Sequence, residues 1–225
     1  MTYLTKELKM TQDNLSAFSP YQALAESLLP YSVPSNDGGH DISHIIRVFK
    51  NAMKILAQEG GDGEVLAAAV LLHDCVAVEK NSPQRSMASR LAAEKANQIL
   101  LDLGWSGDKI TFVYHAILTH SFSADIEPET LEAKILQDAD RLDAIGAIGA
   151  ARCFYTAGRM ESKIYHPTDP LGENRDLNDR TFALDHFPLK LFRLAEGFKT
   201  ETGRQLAQLR HERLLSIRDM LLEEI

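Results

Sequence analysis

Apolar residues recur along this chain at the three- and four-residue spacing of an α-helix, whereas the alternation typical of a β-strand is almost absent. The clearest stretch begins near His40 and ends at the turn EGGDG. Its apolar positions fall on one helical face: Ile42, Ile45, Ile46, Phe49, Met53 and Ile55. The turn-rich sequence YSVPSNDGG precedes this helix as a loop. The pattern therefore predicts an all-α fold.

Further helices are predicted on both sides of that stretch. A short amphipathic helix follows a polar lead-in and covers 20–29. The run EVLAAAVLLHDCVAV is rich in Ala and Leu, so it favours a helix in the core. Later helices are expected over 87–104, where Gly104 is a typical C-terminal stop, over about 108–120, and as one long element over 129–158.

The helical pattern of apolar residues stops after Gly158. Residues 159–184 contain Pro167, Pro170 and Gly172 and show little periodicity, so they are expected to form a lid or to be partly disordered. The helical pattern returns at Asp185 and runs to the end, with a break at 200–203. The chain is therefore divided into four segments: 1–30, lead-in and first helix; 31–158, the core with the candidate chemistry; 159–184, irregular loop or lid; 185–225, C-terminal helices that pack on the core.

Composition narrows the class of protein. A chain of 225 residues with 44% hydrophobic content can bury one sizeable core. Its net charge of -8 disfavours nucleic-acid binding by bulk electrostatics, so an anionic substrate needs a local basic cluster or a metal ion. Two cysteines are too few for a disulfide framework or a four-cysteine zinc site, and we expect reduced, buried thiols. No signal peptide or membrane span is predicted, which favours the cytoplasm.

Two short stretches place ionisable residues in apolar surroundings. In HDISHIIRV, His40, His44 and Arg47 share one helical face because they lie three or four residues apart. In LLHDC, His73 and Asp74 end a run that is otherwise apolar. A buried ionisable pair is costly unless it is paired or binds a metal, so both stretches are candidates for a functional site.

A third stretch, QDADRLDAIGAIGAAR, carries Asp138, Asp140 and Asp143 ahead of a run of small residues that lets helices approach closely. Together with the histidines, these carboxylates suit a borderline or hard divalent ion such as Mn, Fe, Ni, Mg or Zn. Two His and two Asp ligands leave positions open, where the ion acidifies a water and binds a phosphoryl oxygen. The residues therefore indicate metal-assisted hydrolysis of a phosphoester.

The order H … HD … D, with each motif predicted on a helix, resembles the HD-domain superfamily of metal-dependent phosphohydrolases over roughly residues 39–157. The block DADRLDAIG makes the resemblance more specific than an HD pair alone. HSFS at His120 and HFPLKL at His186 resemble a small bacterial branch sometimes called YedJ-like. The resemblance implies a compact multi-helix bundle with a metal site at its centre.

Carried over by position, the resemblance implies four metal ligands: His44, His73, Asp74 and Asp140. It makes His40 a helix-start residue and Asp138 a neighbour of the site. Asp74 is a further candidate for the general base that orients the attacking water. His120 is the alternative base, and its other possible roles are a phosphate donor, a ligand of a second ion or a structural cap.

Several residues around this set leave two roles open. Asp143 either orients a ligand histidine or serves as a surface or capping residue. Arg47 either clamps a phosphate or pairs with a buried carboxylate. The candidate substrate-binding residues are all basic, and each is individually weak because a lone basic side chain is usually solvated: Arg47, Lys80, Arg152 and Lys190.

These observations predict an enzyme that cleaves a phosphoester or pyrophosphate bond in a small molecule, with a nucleotide as the first candidate and metal-bound water as the nucleophile. Two alternatives stay open. One is an iron-dependent oxygenase in which His120 ligates a second iron. The other is a non-catalytic module that senses a nucleotide or a metal. The substrate, the metal, the number of ions and the oligomeric state are not determined by the sequence.

Overall fold

The helices lie close to where the apolar pattern predicts them. The structure, a computed structural model, describes residues 12–32, 41–78, 85–121 and 125–225. Within these ranges it has no strand, and a single bridge joins Lys163 to Phe182. The all-α prediction is confirmed. The α-helices are α1 (Gln12–Ser16), α2 (Gln22–Leu28), α3 (Ile42–Glu59), α4 (Gly63–Leu72), α5 (Ala88–Asp102), α6 (Gly107–His120), α7 (Leu131–Asp143), α8 (Gly146–Arg159) and α9 (Glu201–Glu223).

Helix α4 is the centre of the bundle. Every residue from Val65 to Leu72 is buried, as expected for a helix that is apolar on all sides. It packs against α2, α3, α6 and α7. The sequence predicted that the helix continues through the HD pair, but it ends at Leu72, with His73 at its C-terminal cap. The HD pair therefore lies in the turn that leaves the core helix.

Helix α3 is strongly amphipathic, and its start is set by Asp41. The carboxylate of Asp41 accepts hydrogen bonds from the backbone N–H groups of Ser43 (2.9 Å) and His44 (3.2 Å), which caps the helix. The predicted start at His40 lies outside the described residues. The buried face of α3 packs against α4 and α7 and carries His44 into the bundle.

The long helix predicted over 129–158 is two helices, so this prediction is wrong. Thr130 caps the first, α7, by accepting from the N–H of Ala133 at 3.2 Å. The break follows at Gly146, whose φ of +75° is accessible to glycine and strained for other residues. A Cβ at Gly146 would lie 3.1 Å from Cβ of Arg210, so the glycine also permits the close approach of α9.

The irregular stretch 159–184 has a defined structure without regular helices. Lys163 donates its N–H to the carbonyl of Thr181 (2.9 Å) and accepts from the N–H of Ala183 (2.8 Å). The guanidinium of Arg175 forms two hydrogen bonds, of 2.6 and 2.7 Å, to Asp185. These contacts give the segment a defined conformation, and its role as a lid stays a prediction.

The α-helix expected from Asp185 onward is replaced by short 3-10 and π segments: Ala183–Asp185, Phe187–Leu191 and Arg193–Ala195. The predicted break at 200–203 falls on the start of α9, whose N-terminus is capped by Thr200. Helix α9 then packs on α3, α7 and α8.

The two cysteines are free thiols, as expected. Burial raises the pKa of both Cys75 and Cys153 to about 11, so neither is a reactive thiolate at neutral pH. In the part of the chain that the structure describes, no helix has the length and apolar character needed to cross a membrane.

Candidate metal centre

Four helices bring the predicted ligands and His120 to one place. His44 lies in the first turns of α3, His73 and Asp74 follow the end of α4, and Asp140 lies in α7. His120 is the last residue of α6. Because α3, α6 and α7 all pack around α4, these side chains meet where α4 ends.

Donor atoms of His44, His73 and Asp140 all lie within 4.8 Å of one another, and Asp74 approaches the two histidines. Nε2 of His44 is 3.3 Å from Nε2 of His73, 3.5 Å from Oδ1 of Asp140 and 3.7 Å from Oδ2 of Asp74. Nε2 of His73 is 3.5 Å from Oδ2 of Asp74 and 4.0 Å from Oδ1 of Asp140. An ion bonded to N and O donors at about 2.0–2.2 Å separates neighbouring donors by about 3.0–3.5 Å, and by more at wider angles. The cluster is therefore compatible with a divalent-metal site.

Hydrogen bonds at the far edge of each ring fix which histidine nitrogen faces the cluster. Nδ1 of His44 donates to the carboxylate of Asp143 at 2.8 Å, and Nδ1 of His73 donates to the carbonyl of Val70 at 2.7 Å. With both Nδ1 atoms acting as donors, Nε2 is the ring nitrogen that faces the cluster in each histidine. Burial lowers the pKa of His44, but the hydrogen bond to Asp143 and the charges of Asp140 and Asp74 outweigh it and raise that pKa above its ordinary value. A cation at Nε2 would take the place of the proton that these carboxylates favour. This arrangement fits metal ligation.

His120 adds a fifth donor at the edge of the cluster. Its Nδ1 donates to the carbonyl of Ile117 at 2.6 Å, and its Nε2 lies 3.9 Å from Oδ1 of Asp74. Burial lowers the pKa of His120, and the neighbouring His73 lowers it further, so its ring is neutral at neutral pH. His73, Asp74 and His120 thus form a second donor set, which shares His73 with the set of His44, His73 and Asp140.

Asp143 is the anchor of the His44 ring and is 1% exposed. It also accepts from Nε (2.6 Å) and Nη2 (3.0 Å) of Arg47 and from Nη1 of Arg152 (3.0 Å). Burial raises the pKa of Asp143, but the hydrogen bonds from His44 and Arg47 outweigh it and hold that pKa far below its usual range. The structure thus pairs Arg47 with a buried carboxylate that also holds the His44 ring. A phosphate-binding role of Arg47 stays a prediction.

Asp138 and Asp140 are two positions apart in α7 and point in different directions. The carboxylate of Asp138, which is 0% exposed, accepts from the N–H groups of Lys199 (2.8 Å) and Thr200 (2.8 Å) and from the hydroxyl of Thr200 (2.7 Å). Asp138 therefore ties α7 to the start of α9, and Asp140 is the carboxylate that faces the histidines.

The basic residues predicted to bind substrate are not all brought together. Arg47 and Arg152 contact Asp143, whereas Lys190 is exposed in the π segment. Lys80 lies outside the described residues. The substrate role of these residues stays a prediction. Sequence analysis missed Arg210, whose Nη2 donates to the side chain of Asn51 at 2.7 Å, because its mixed-charge helix is typical of a surface element.

Comparison with known proteins shows the family of the chain. The HD domain family model matches residues 41–145. The chain is also 34% identical over 191 residues to the uncharacterized protein YpgQ of Bacillus subtilis, and the match covers 83% of this chain and 85% of YpgQ.

Solved structures extend the likeness to nearly the whole chain. Bacillus subtilis YpgQ in complex with ADP is 32% identical, with a TM-score of 0.68 and coverage of 94% of this chain and 96% of that one. An HD-superfamily hydrolase from Bacillus thuringiensis is 30% identical, with a TM-score of 0.66 and the same coverage. A predicted HD-superfamily hydrolase from an uncultured Thermotogales bacterium is 27% identical, with a TM-score of 0.60 and coverage of 96% and 99%. The chain therefore belongs to the HD-domain superfamily, in a YpgQ-like bacterial branch of HD-superfamily hydrolases.

Proposed function

We propose that this protein is a divalent-metal-dependent phosphohydrolase that acts on a small phosphorylated molecule, with a nucleotide as the first candidate. The observation that carries the proposal is the convergence of two imidazole Nε2 atoms and two carboxylates, with each imidazole held by a hydrogen bond at its other nitrogen. This donor set holds borderline and hard divalent ions. Membership of a hydrolase superfamily supports the same class of chemistry.

In this proposal the four donor residues have different roles. His44, His73 and Asp140 hold the ion, and Asp74 both ligates it and orients a water, since its side chain is 43% exposed and faces solvent more than the others. A divalent ion at this position supplies a Lewis acid that makes bound water more acidic and polarises a phosphoryl oxygen. His120 is neutral and buried beside Asp74, so it is suited to accept a proton from the attacking water or to deliver one to the leaving oxygen.

A nucleotide substrate is supported by one relative. Bacillus subtilis YpgQ, which is 32% identical, has been crystallised with ADP. The present chain has a net charge of -8, which repels a phosphate anion at long range. A bound metal ion would supply the local positive charge that offsets this repulsion.

The position of His120 favours one alternative, a second ion held by His73, Asp74 and His120. A pair of irons at such a site could activate dioxygen, which is the chemistry of the oxygenase alternative. Iron-loaded protein assayed with and without oxygen separates the two reactions. Hydrolysis that proceeds equally under anaerobic conditions supports the phosphohydrolase, whereas oxygen consumption coupled to turnover supports the oxygenase.

The test of the proposal combines metal content with turnover. Wild type, Asp140→Asn and the exposed-carboxylate control Asp176→Asn are loaded with Mn²⁺ or another candidate divalent ion, desalted and measured by mass spectrometry. Each is then assayed on nucleoside di- and triphosphates and on simple phosphate mono- and diesters. We expect wild type and Asp176→Asn to retain metal and hydrolyse at least one substrate, and Asp140→Asn to do neither.

Two results would contradict the proposal in different ways. If Asp140→Asn retains as much metal as wild type, Asp140 is not a metal ligand. If wild type holds metal and binds a nucleotide but shows no turnover, the protein is the non-catalytic sensing module.

A further inference from the structure

A pocket of about 270 Å³ lies between α3, the start of α8 and α9. Asp143 forms part of its wall, and the predicted metal ligands are not among its described lining residues. Asp143 binds Nδ1 of His44, whereas Nε2 at the opposite edge of the same ring faces the metal donors. The pocket is therefore behind His44, separated from the candidate metal centre by the ring and by Asp143.

The wall of this pocket carries an excess of positive charge. Four of its lining residues are basic: Arg47, Lys50, Arg210 and Arg213. Among the described residues that line it, Asp143 is the one acid, and that carboxylate already accepts hydrogen bonds from His44, Arg47 and Arg152. In a chain with a net charge of -8, such a local excess is unusual, and a concave basic site concentrates anions.

The basic side chains are close enough to act on one another. Burial lowers the pKa of Arg210; the charge of Asp143 opposes this, and those of Arg213 and Arg47 add to the lowering. Arg210 is held in place by its hydrogen bonds to the carbonyl of Leu142 and the side chain of Asn51. The cluster is thus pre-organised, and an anion among these cations would relieve their mutual repulsion.

The start of α8 adds to the positive field of the same wall. Ile145 is the N-cap, and among the described residues no side chain caps this helix end and no acidic residue lies in its first turn. Ala147 and Ile148, in that first turn, line the pocket. The N-terminal N–H groups of a helix carry partial positive charge and favour anions, above all phosphates.

We propose that this pocket is a binding site for a phosphoryl anion, separate from the metal centre. Arginine guanidinium groups and a helix N-terminus recognise tetrahedral oxyanions through charge-assisted hydrogen bonds. The volume of about 270 Å³ admits inorganic phosphate or pyrophosphate, or the phosphate end of a nucleotide. Arg47 lines the pocket and pairs with Asp143, which binds His44, so two residues connect a bound anion to His44.

Calorimetric titration with three probes tests the site: inorganic phosphate, pyrophosphate and ADP. The protein is titrated as purified and again with EDTA, which removes binding that depends on metal. The double variant K50E/R213E reverses two exposed charges of the pocket. Lys54→Glu is the matched control, because Lys54 is also exposed on α3 but does not line the pocket. Thermal unfolding checks that all variants are folded.

We expect at least one probe to bind with EDTA present, and its affinity to fall by about tenfold or more in K50E/R213E, since each reversed charge removes a charge-assisted contact. Lys54→Glu should bind as wild type does. Binding of ADP without binding of phosphate or pyrophosphate identifies a nucleotide as the source of the phosphoryl group. No binding of any probe with EDTA, or equal affinity in K50E/R213E, overturns the proposal. Neither result bears on the hydrolase proposal, because no turnover is measured.

Discussion

His44 and Asp143 are 99 positions apart, yet Nδ1 of His44 donates a 2.8 Å hydrogen bond to the carboxylate of Asp143. This contact selects the ring nitrogen that faces the other metal donors. It also joins α3 to the end of α7, since Arg47 on α3 pairs with the same carboxylate. One buried acid thus both orients a predicted ligand and links two helices.

Replacing Asp143 with Asn should weaken metal binding without removing a ligand. The amide cannot match the negative charge that orients His44, and such outer partners are worth about 10–100-fold in metal affinity. The free energy of unfolding should also fall by about 1–3 kcal/mol, because Arg47 and Arg152 lose a charged partner and are only partly exposed. Mn²⁺ titration and urea unfolding measure the two effects. Unchanged Mn²⁺ affinity would contradict the orienting role.

Substitution of Asp138 should lower stability without affecting metal binding, and substitution of Asp140 should do the opposite. Asp138→Ala leaves the N–H groups of Lys199 and Thr200 without their acceptor and should lower the free energy of unfolding by about 1–3 kcal/mol. Its metal content, measured below the unfolding transition, should match wild type. Asp140→Asn should lose metal while its free energy of unfolding stays close to that of wild type. Loss of metal in a folded Asp138→Ala would mean that the two aspartates are assigned the wrong way round.

His120→Gln should lower kcat by about 10²–10⁴-fold if His120 transfers a proton, while the metal content stays that of wild type. The matched control is His115→Gln in the same helix. Nε2 of His115 accepts from the N–H of Glu129 at 3.0 Å, so this residue has a structural partner of its own. The measurement is steady-state kinetics together with metal analysis of the same samples. A fall in bound metal in His120→Gln would instead identify His120 as a ligand.

Arg175→Ala should loosen the segment 160–182. Arg175 binds Asp185, which is 1% exposed, through two hydrogen bonds, and its guanidinium stacks over the ring of Phe182 at 4.8 Å. Limited proteolysis with thermolysin should cut the variant in this segment faster than wild type. Arg180→Ala, at an exposed arginine of the same segment, is the control. Equal cleavage of Arg175→Ala and wild type would mean that other contacts hold the segment.

The same ion pair predicts a pH dependence of stability. Burial raises the pKa of Asp185, but the hydrogen bonds from Arg175 and Asn178 outweigh it, so its pKa is lowered from the ordinary value of 3.8. The contribution of the pair is then fully present above that value and is lost as the pH falls below it through the folded-state pKa. The stability difference between wild type and Arg175→Ala in urea should therefore shrink between neutral pH and about pH 3. A constant difference would contradict this linkage.

Some helix boundaries could not be predicted from apolar spacing. The run AIGAIGAA has helical composition on both sides of Gly146, and the extended backbone of Ile145 with the positive φ of Gly146 separates α7 from α8. The residues 183–195 have helical apolar spacing as well, but they form 3-10 and π turns. Spacing of three and four residues does not distinguish these short forms from an α-helix when the segment is only a few residues long.

The sequence by itself determined the helical class, the central position of the apolar helix α4, and the order of the three motifs that identified the family. Those properties are local, because they follow from side-chain spacing along single helices. Only the tertiary structure decided that Asp143 faces His44 while Asp138 faces Thr200, and that Arg47, Lys50, Arg210 and Arg213 share one pocket. These relationships depend on how α3, α7, α8 and α9 pack against one another, and helical spacing within one segment does not specify the contacts made across distant segments.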